Sequence, residues 1–111
     1  MSKIKINKRF TLRDGDSKTM PVNPKGIGNS IGTDAYIQVV SLAEGATIEF
    51  AATMDNTEES MGIGCIDLYD YKGYEMADKQ SVFLIPVTAY DNLVITANGG
   101  SADLIVKVVV E

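Results

Sequence analysis

The sequence predicts an all-β chain folded as an antiparallel sandwich, on three observations. Short runs of alternating apolar and polar residues are separated by Gly, Asp, Asn and Pro clusters, the pattern of half-buried strands joined by turns. No run keeps a 3.6-residue apolar period over ten positions, so substantial helix is not expected. The 111 residues, 45% hydrophobic and 23% charged, suffice for one ordinary hydrophobic core, so residues 1–111 are read as a single domain.

The elements follow in order. Residues 3–13 alternate, with Ile4, Ile6, Phe10 and Leu12 on one face. Asp14-Gly15-Asp16-Ser17 is a turn cluster, and residues 19–22 form a short strand that Pro21 and Pro24 confine to an edge. Residues 25–33 are a glycine-rich loop and residues 36–42 a strand. Glu44-Gly45 turns the chain into residues 46–54, where Ile48, Phe50, Ala52 and Met54 share one face and Thr47, Glu49 and Thr53 the other. Such strict alternation marks one buried and one wet face. Residues 55–61 read as a loop, with at most one helical turn over 57–60.

Residues 63–70 are the next strand, and residues 71–79 a longer connection. Residues 82–87 are apolar on both faces, as an interior strand would be, provided Pro86 sits where no ladder donor is needed. Residues 93–97 and 102–110 flank Asn98-Gly99-Gly100-Ser101, which predicts a hairpin. Seven to eight short strands result, with jelly-roll-like connectivity preferred over immunoglobulin-like, since the Cys…Trp…Cys signature is missing.

Composition narrows the chemistry. The chain has no His, no Trp and one Cys, so no Ser-His-Asp triad, Cys-His pair, His-bound metal or intrachain disulfide can be built. The expectation is a non-enzyme with no cofactor and no metal. The net charge of −5 argues against a nucleic-acid partner. No stretch reaches the roughly 18–20 apolar residues of a membrane span, and the start MSKIKINKRF lacks the apolar run of a secretion leader. Cys65 reads as a small buried hydrophobe.

Charge is unevenly divided. Residues 1–25 carry seven basic and two acidic residues, a local charge of +5; residues 26–111 carry three and thirteen, −10. The basic arm either pairs with its own body, forms a lysine-protected edge strand, or docks on a neighbouring subunit.

Each candidate site in the sequence has a plainer account. The run Gly26-Ile27-Gly28-Asn29-Ser30-Ile31-Gly32 lacks both the strand-before-helix context and the Walker Lys-Ser/Thr of a phosphate cradle, which leaves a loop. Asp14 and Asp16 have the spacing of cation ligands, but the remaining ligands of a calcium loop are missing, so a turn braced by Asp side chains is the better account. Glu58, Glu59, Asp67, Asp70, Glu75 and Asp78 could in principle supply an acid–base pair, yet most read as solvated loop carboxylates.

The stretch Tyr69-Asp70-Tyr71-Lys72-Gly73-Tyr74 is the candidate ligand or partner contact, through Tyr69, Asp70, Tyr71 and Tyr74. Aromatic faces beside short polar groups suit sugars or a protein surface. The plainer account puts Tyr69 in the core and leaves Tyr71 and Tyr74 covering a loop. In the last strand, Leu104, Val106, Val108 and Val110 share one face; Ile105, Lys107 and Val109 share the other and are the candidate subunit contact.

The layout of a basic N-terminal segment, then YIQVVSLAEGATIEF over 36–50, FLIPVTAYD over 83–91 and a valine-rich end resembles the small late-operon proteins of tailed bacteriophages infecting Gram-positive hosts such as Bacillus. It is similar in size and strand count to the β-sandwich shoulder domain of lactococcal siphophage receptor-binding proteins. That resemblance covers most of the chain and carries over no functional residue. It implies a shoulder-like module without a neck or head. Its expected role is structural or accessory, in a tail, baseplate or virion-assembly step. The partners would be other phage proteins or a second copy, in the virion or in the host cytoplasm during assembly. The competing expectation is a host-surface adhesion module that binds carbohydrate through the tyrosines.

Overall fold

The computed structural model describes residues 3–23, 32–54 and 59–110. Most of the glycine-rich run, and residues 57 and 58 of the helical turn expected at 57–60, therefore lie outside the described residues, while Glu59 and Ser60 are not helical. Eleven strands form two antiparallel sheets, with no helix among the described residues. They are β1 (Lys3–Leu12), β2 (Ser17–Pro21), β3 (Gly32–Leu42), β4 (Thr47–Thr53), β5 (Met61–Ile63), β6 (Cys65–Asp67), β7 (Lys72–Tyr74), β8 (Met76–Ala77), β9 (Val82–Pro86), β10 (Asn92–Asn98) and β11 (Ala102–Val110).

The six-stranded sheet runs β1-β11-β3-β9-β6-β7; the five-stranded sheet runs β2-β10-β4-β5, with β8 also on β4. Eight of these strands make the expected frame. β1, β11, β3 and β9 face β2, β10, β4 and β5, and the chain changes sheet at every step of the frame except β4 to β5, the connectivity of a jelly roll. The three strands outside that frame, β6, β7 and β8, are two or three residues long, too short for alternation to reveal them in sequence.

Between the layers lies one core. Phe83, Ile37, Ile85, Leu93, Ile95 and Leu104 are among its fully buried members. Each comes from the inward set of its strand: β10 alternates strictly, with Leu93, Ile95 and Ala97 inside. A large aliphatic or aromatic side chain contributes roughly 1.5–3 kcal/mol when fully buried, so this two-sided stripe supplies the main driving force for closing the sandwich.

Three sequence expectations are corrected. β10 and β11 are not a hairpin, because they pair with different strands in different sheets. Gly99 turns the chain across the edge of the sandwich in the left-handed region, at φ 81°. The strand expected over 63–70 breaks at Gly64, where the chain leaves the five-stranded sheet (β5) for the six-stranded one (β6). There an added Cβ would stand 3.0 Å from the carbonyl oxygen of Tyr74, so the crossing is tight. Ile4 is 57% exposed, off the inner face. A bulge between Ile4 and Ile6 shifts the register of β1 on β11 and turns Ile4 outward beside Val109. β11 itself is an interior strand, since β1 and β3 pair with it on both sides. The neighbouring margin of the sheet is basic β1, whose Arg9 forms an ion pair with Asp103 of β11 at 2.6 Å.

Candidate functional site

The tyrosine-rich stretch becomes the β6–β7 hairpin and its turn, at one margin of the six-stranded sheet. Two aspartates shape the turn. Asp67 Oδ1 accepts the backbone N–H of Tyr69 at 2.8 Å, and Asp70 Oδ1 accepts that of Lys72 at 2.9 Å. The Tyr71 N–H donates to the carbonyl of Asp67 at 2.7 Å. These bonds hold Tyr71 at φ 59°, a left-handed conformation unusual for a bulky residue.

Beneath the turn lies a polar network that sequence reasoning missed. Asp67 has no accessible surface; it points inward on β6 in step with Cys65. Of the six carboxylates weighed for acid–base chemistry, Asp67 is thus a buried strand residue rather than a solvated one. Its Oδ1 also accepts the Ser81 hydroxyl at 2.6 Å, and its Oδ2 meets Lys79 Nζ at 2.9 Å. The Ser81 hydrogen bond, followed by the Lys79 ammonium, holds the Asp67 carboxyl down at about 2 despite burial. Lys79 also lies 3.8 Å from Asp70 Oδ2 and 5.4 Å from the centre of the Tyr74 ring. Asp67 raises the pKa of that ammonium by hydrogen bonding. The Tyr74 hydroxyl donates to Asp70 Oδ2, which lowers the Asp70 carboxyl and raises the Tyr74 phenol. The signal available in sequence was the alternation Cys65, Asp67, which places a carboxylate on the inner face.

The four predicted contact residues thus divide. Asp70 and Tyr74 are tied to each other. Tyr69 and Tyr71 stand free on the surface at 85% and 79% exposure, so the account that buried Tyr69 in the core is wrong. Beside Tyr69 runs a groove of about 540 Å3 lined by Leu68, Tyr69, Lys79, Gln80, Ser81 and Val82. Cys65 sits below the hairpin, where burial pushes its thiol up to about 11. Asp14 and Asp16 brace their own surroundings: Asp14 Oδ1 accepts the Gly99 N–H at 2.9 Å and Asp16 Oδ2 the Arg13 N–H at 3.0 Å.

The second candidate surface is the outer face of the six-stranded sheet. Ile105, Lys107 and Val109 all lie on it, with Lys107 exposed and the other two half-buried. Cross-strand register extends the face: Lys107 pairs with Tyr36, Tyr36 with Leu84, and Leu84 with Ile66. A parallel row runs from Ile105 through Gln38 to Val82. The opposite outer face, on the five-stranded sheet, is built differently. It presents Ser17, Thr19, Glu49, Thr96 and Asn98 around the smaller apolar pair Val94 and Ala51, with Ser17 and Thr96 hydroxyls hydrogen-bonded at 2.7 Å. One sandwich therefore carries one face with large apolar side chains at its middle and one of smaller, mostly polar side chains.

No family model matches the chain, and no curated protein matches it by sequence. Among solved structures, the fold is similar to that of the SPBc2 prophage-derived protein YomS, with a TM-score of 0.67 and 10% sequence identity over 96% of this chain and 97% of that one.

Proposed function

We propose that this chain is a non-catalytic structural or accessory module of a tailed bacteriophage that works through protein–protein contacts. The observation carrying this reading is the difference between the two outer faces. An antiparallel sheet whose outer face meets only water is normally polar there, as the five-stranded sheet is, whereas Tyr36, Ile66, Val82, Leu84 and Ile105 give the six-stranded sheet an apolar field. The fold shared with a prophage-derived protein supports the phage setting. Within that setting the role we propose is in a tail, baseplate or assembly step, in the virion or in the host cytoplasm.

The test is co-sedimentation of the tagged chain with phage assemblies from a producing host. Wild-type protein and the control Thr19→Lys, on the polar face, are expected in complexes larger than a dimer. Leu84→Lys is expected to stay out of them. Wild-type chain that sediments alone at every stage of production overturns the reading.

A second reading rests on Tyr69 and Tyr71, two exposed aromatic rings on a turn fixed by hydrogen bonds. Rigid tyrosines offer contact area at low entropic cost, which suits a cell-surface carbohydrate. Binding to host cell-wall glycan that falls with Tyr69→Ala and Tyr71→Ala supports it; absence of binding removes it.

A further inference from the structure

We infer that the outer face of the six-stranded sheet docks on the same face of a second copy, across a two-fold axis that sets Lys107 of each chain against Asp34 of the other. This rests on the docking reading above and commits it to one occupant.

The first argument is charge. The chain carries −5, so two copies repel unless they meet where little charge lies. The described side chains of this face are nearly neutral. Arg9 and Asp103 cancel in their ion pair, which leaves one cation, Lys107, and one anion, Asp34. Neither Lys107 nor Asp34 is ion-paired among the described residues. They sit on neighbouring strands, since Lys107 faces Tyr36 and Asp34 faces Val109 in the β3–β11 register. Any two-fold contact is reciprocal: if residue i of one chain meets j of the other, j meets i. An axis running midway between Lys107 and Asp34 therefore forms two ion pairs at once. A partner of different sequence would need an opposite pair of its own.

The second argument is area. Five strands spaced roughly 4.8 Å apart, covered along about seven residues, give a face of about 600 Å2 in projection. That reaches the lower bound of specific interfaces, about 600 Å2 per partner. The rows of Tyr36, Leu84 and Ile66, and of Ile105 and Val82, put the bulky residues at its middle, with charge beside them. Stacked sheets pack about 10 Å apart, so Lys and Asp side chains from facing copies can meet.

The third argument concerns edges. At the long β1 margin of this sheet, strand-to-strand association is discouraged by a bulge and by exposed Lys8 and Arg9. The edge is blunted while the face is left apolar.

The experiment is sedimentation equilibrium of the full chain from micromolar to millimolar concentration, with circular dichroism confirming the fold of each variant. Wild type is expected to dimerise. Lys107→Asp and Asp34→Lys, which each set like charges together, are expected to weaken the dimer by roughly tenfold or more. The double exchange Lys107→Asp/Asp34→Lys is expected to recover wild-type affinity. A wild type that stays monomeric, single variants that dimerise normally, or a double variant as weak as the singles each overturn the inference. Entry into larger phage assemblies by a monomeric wild type would refute the second copy and leave the docking reading standing. A dimer that enters no assembly would do the reverse.

Discussion

The Lys79 ammonium stands 2.9 Å from Oδ2 of Asp67, a carboxylate with no contact with solvent, and the Ser81 hydroxyl closes the same group from the other side at 2.6 Å. One buried charge thus fastens three segments: β6, the β6–β7 turn and the strand entry at residues 79–81. A buried carboxylate that lost its cation would be left uncompensated, so the network fixes where the tyrosine turn sits.

Acid should loosen this fastening. The Asp67 carboxyl is held at about 2, below its ordinary 3.8, by the Ser81 hydrogen bond and the Lys79 ammonium. A depressed carboxyl stabilises the folded state fully above its unfolded pKa and loses that contribution as pH falls toward the folded value. Thermal melts between pH 5 and pH 2 are expected to show falling Tm below about pH 4. Asp67→Asn should start from a lower Tm at pH 7 and fall less steeply across the acid window. Asp70 and Asp103 are also held low, so some acid dependence remains.

Gly99 should tolerate no side chain. Its φ is 81°, and an added Cβ would stand 2.9 Å from the backbone oxygen of Gly45. Gly15 shares the left-handed conformation, at φ 83°, but faces open space. Urea unfolding is expected to place Gly15→Ala about 1–2 kcal/mol below wild type, the ordinary left-handed cost, and Gly99→Ala clearly below that because backbone must also move.

Tyr71 is an aromatic residue in a conformation that Asn adopts more readily. Tyr71→Asn is expected to raise stability by about 0.5–1 kcal/mol in urea unfolding. A gain from deleting a large exposed aromatic would mean that Tyr71 is kept for contact rather than for folding. A loss of stability would show that the ring packs usefully on its own chain.

The Cys65 thiol is buried, raised to about 11, and donates to the carbonyl of Tyr74 at 3.7 Å. Since the thiolate is the reactive form, iodoacetamide at pH 8 should leave the native protein unlabelled. Complete labelling is expected in urea. Rapid native labelling would mean that the β6–β7 hairpin opens.

The sandwich was legible because period-two stripes are long in β4, β10 and β11, where inner residues such as Ile48, Ile95 and Val106 alternate with outer ones. Sheet membership was not legible between β10 and β11. A glycine-rich link of four residues serves a hairpin and a crossing equally well, and only the partners of each strand decide between them. The break at Gly64 was hidden because Ile63, Cys65 and Asp67 continue one alternating stripe across it. Of the candidate sites, the exposed face of β11 could be read directly from Ile105, Lys107 and Val109. The Asp67–Lys79–Ser81 network could not, because its members are spaced along a connection whose course depends on β6 and β9 pairing.

The position of β10 and β11 has a bearing on synthesis. β11 fills the space between β1 and β3, and β10 that between β2 and β4. A nascent chain that has not yet released residues 92–110 from the ribosome therefore holds both layers split down the middle, with four strand margins unpaired. Pairing over such long sequence separation is slow, and the open margins invite strand exchange between neighbouring nascent chains. The rate at which residues 92–110 emerge thus becomes a determinant of yield.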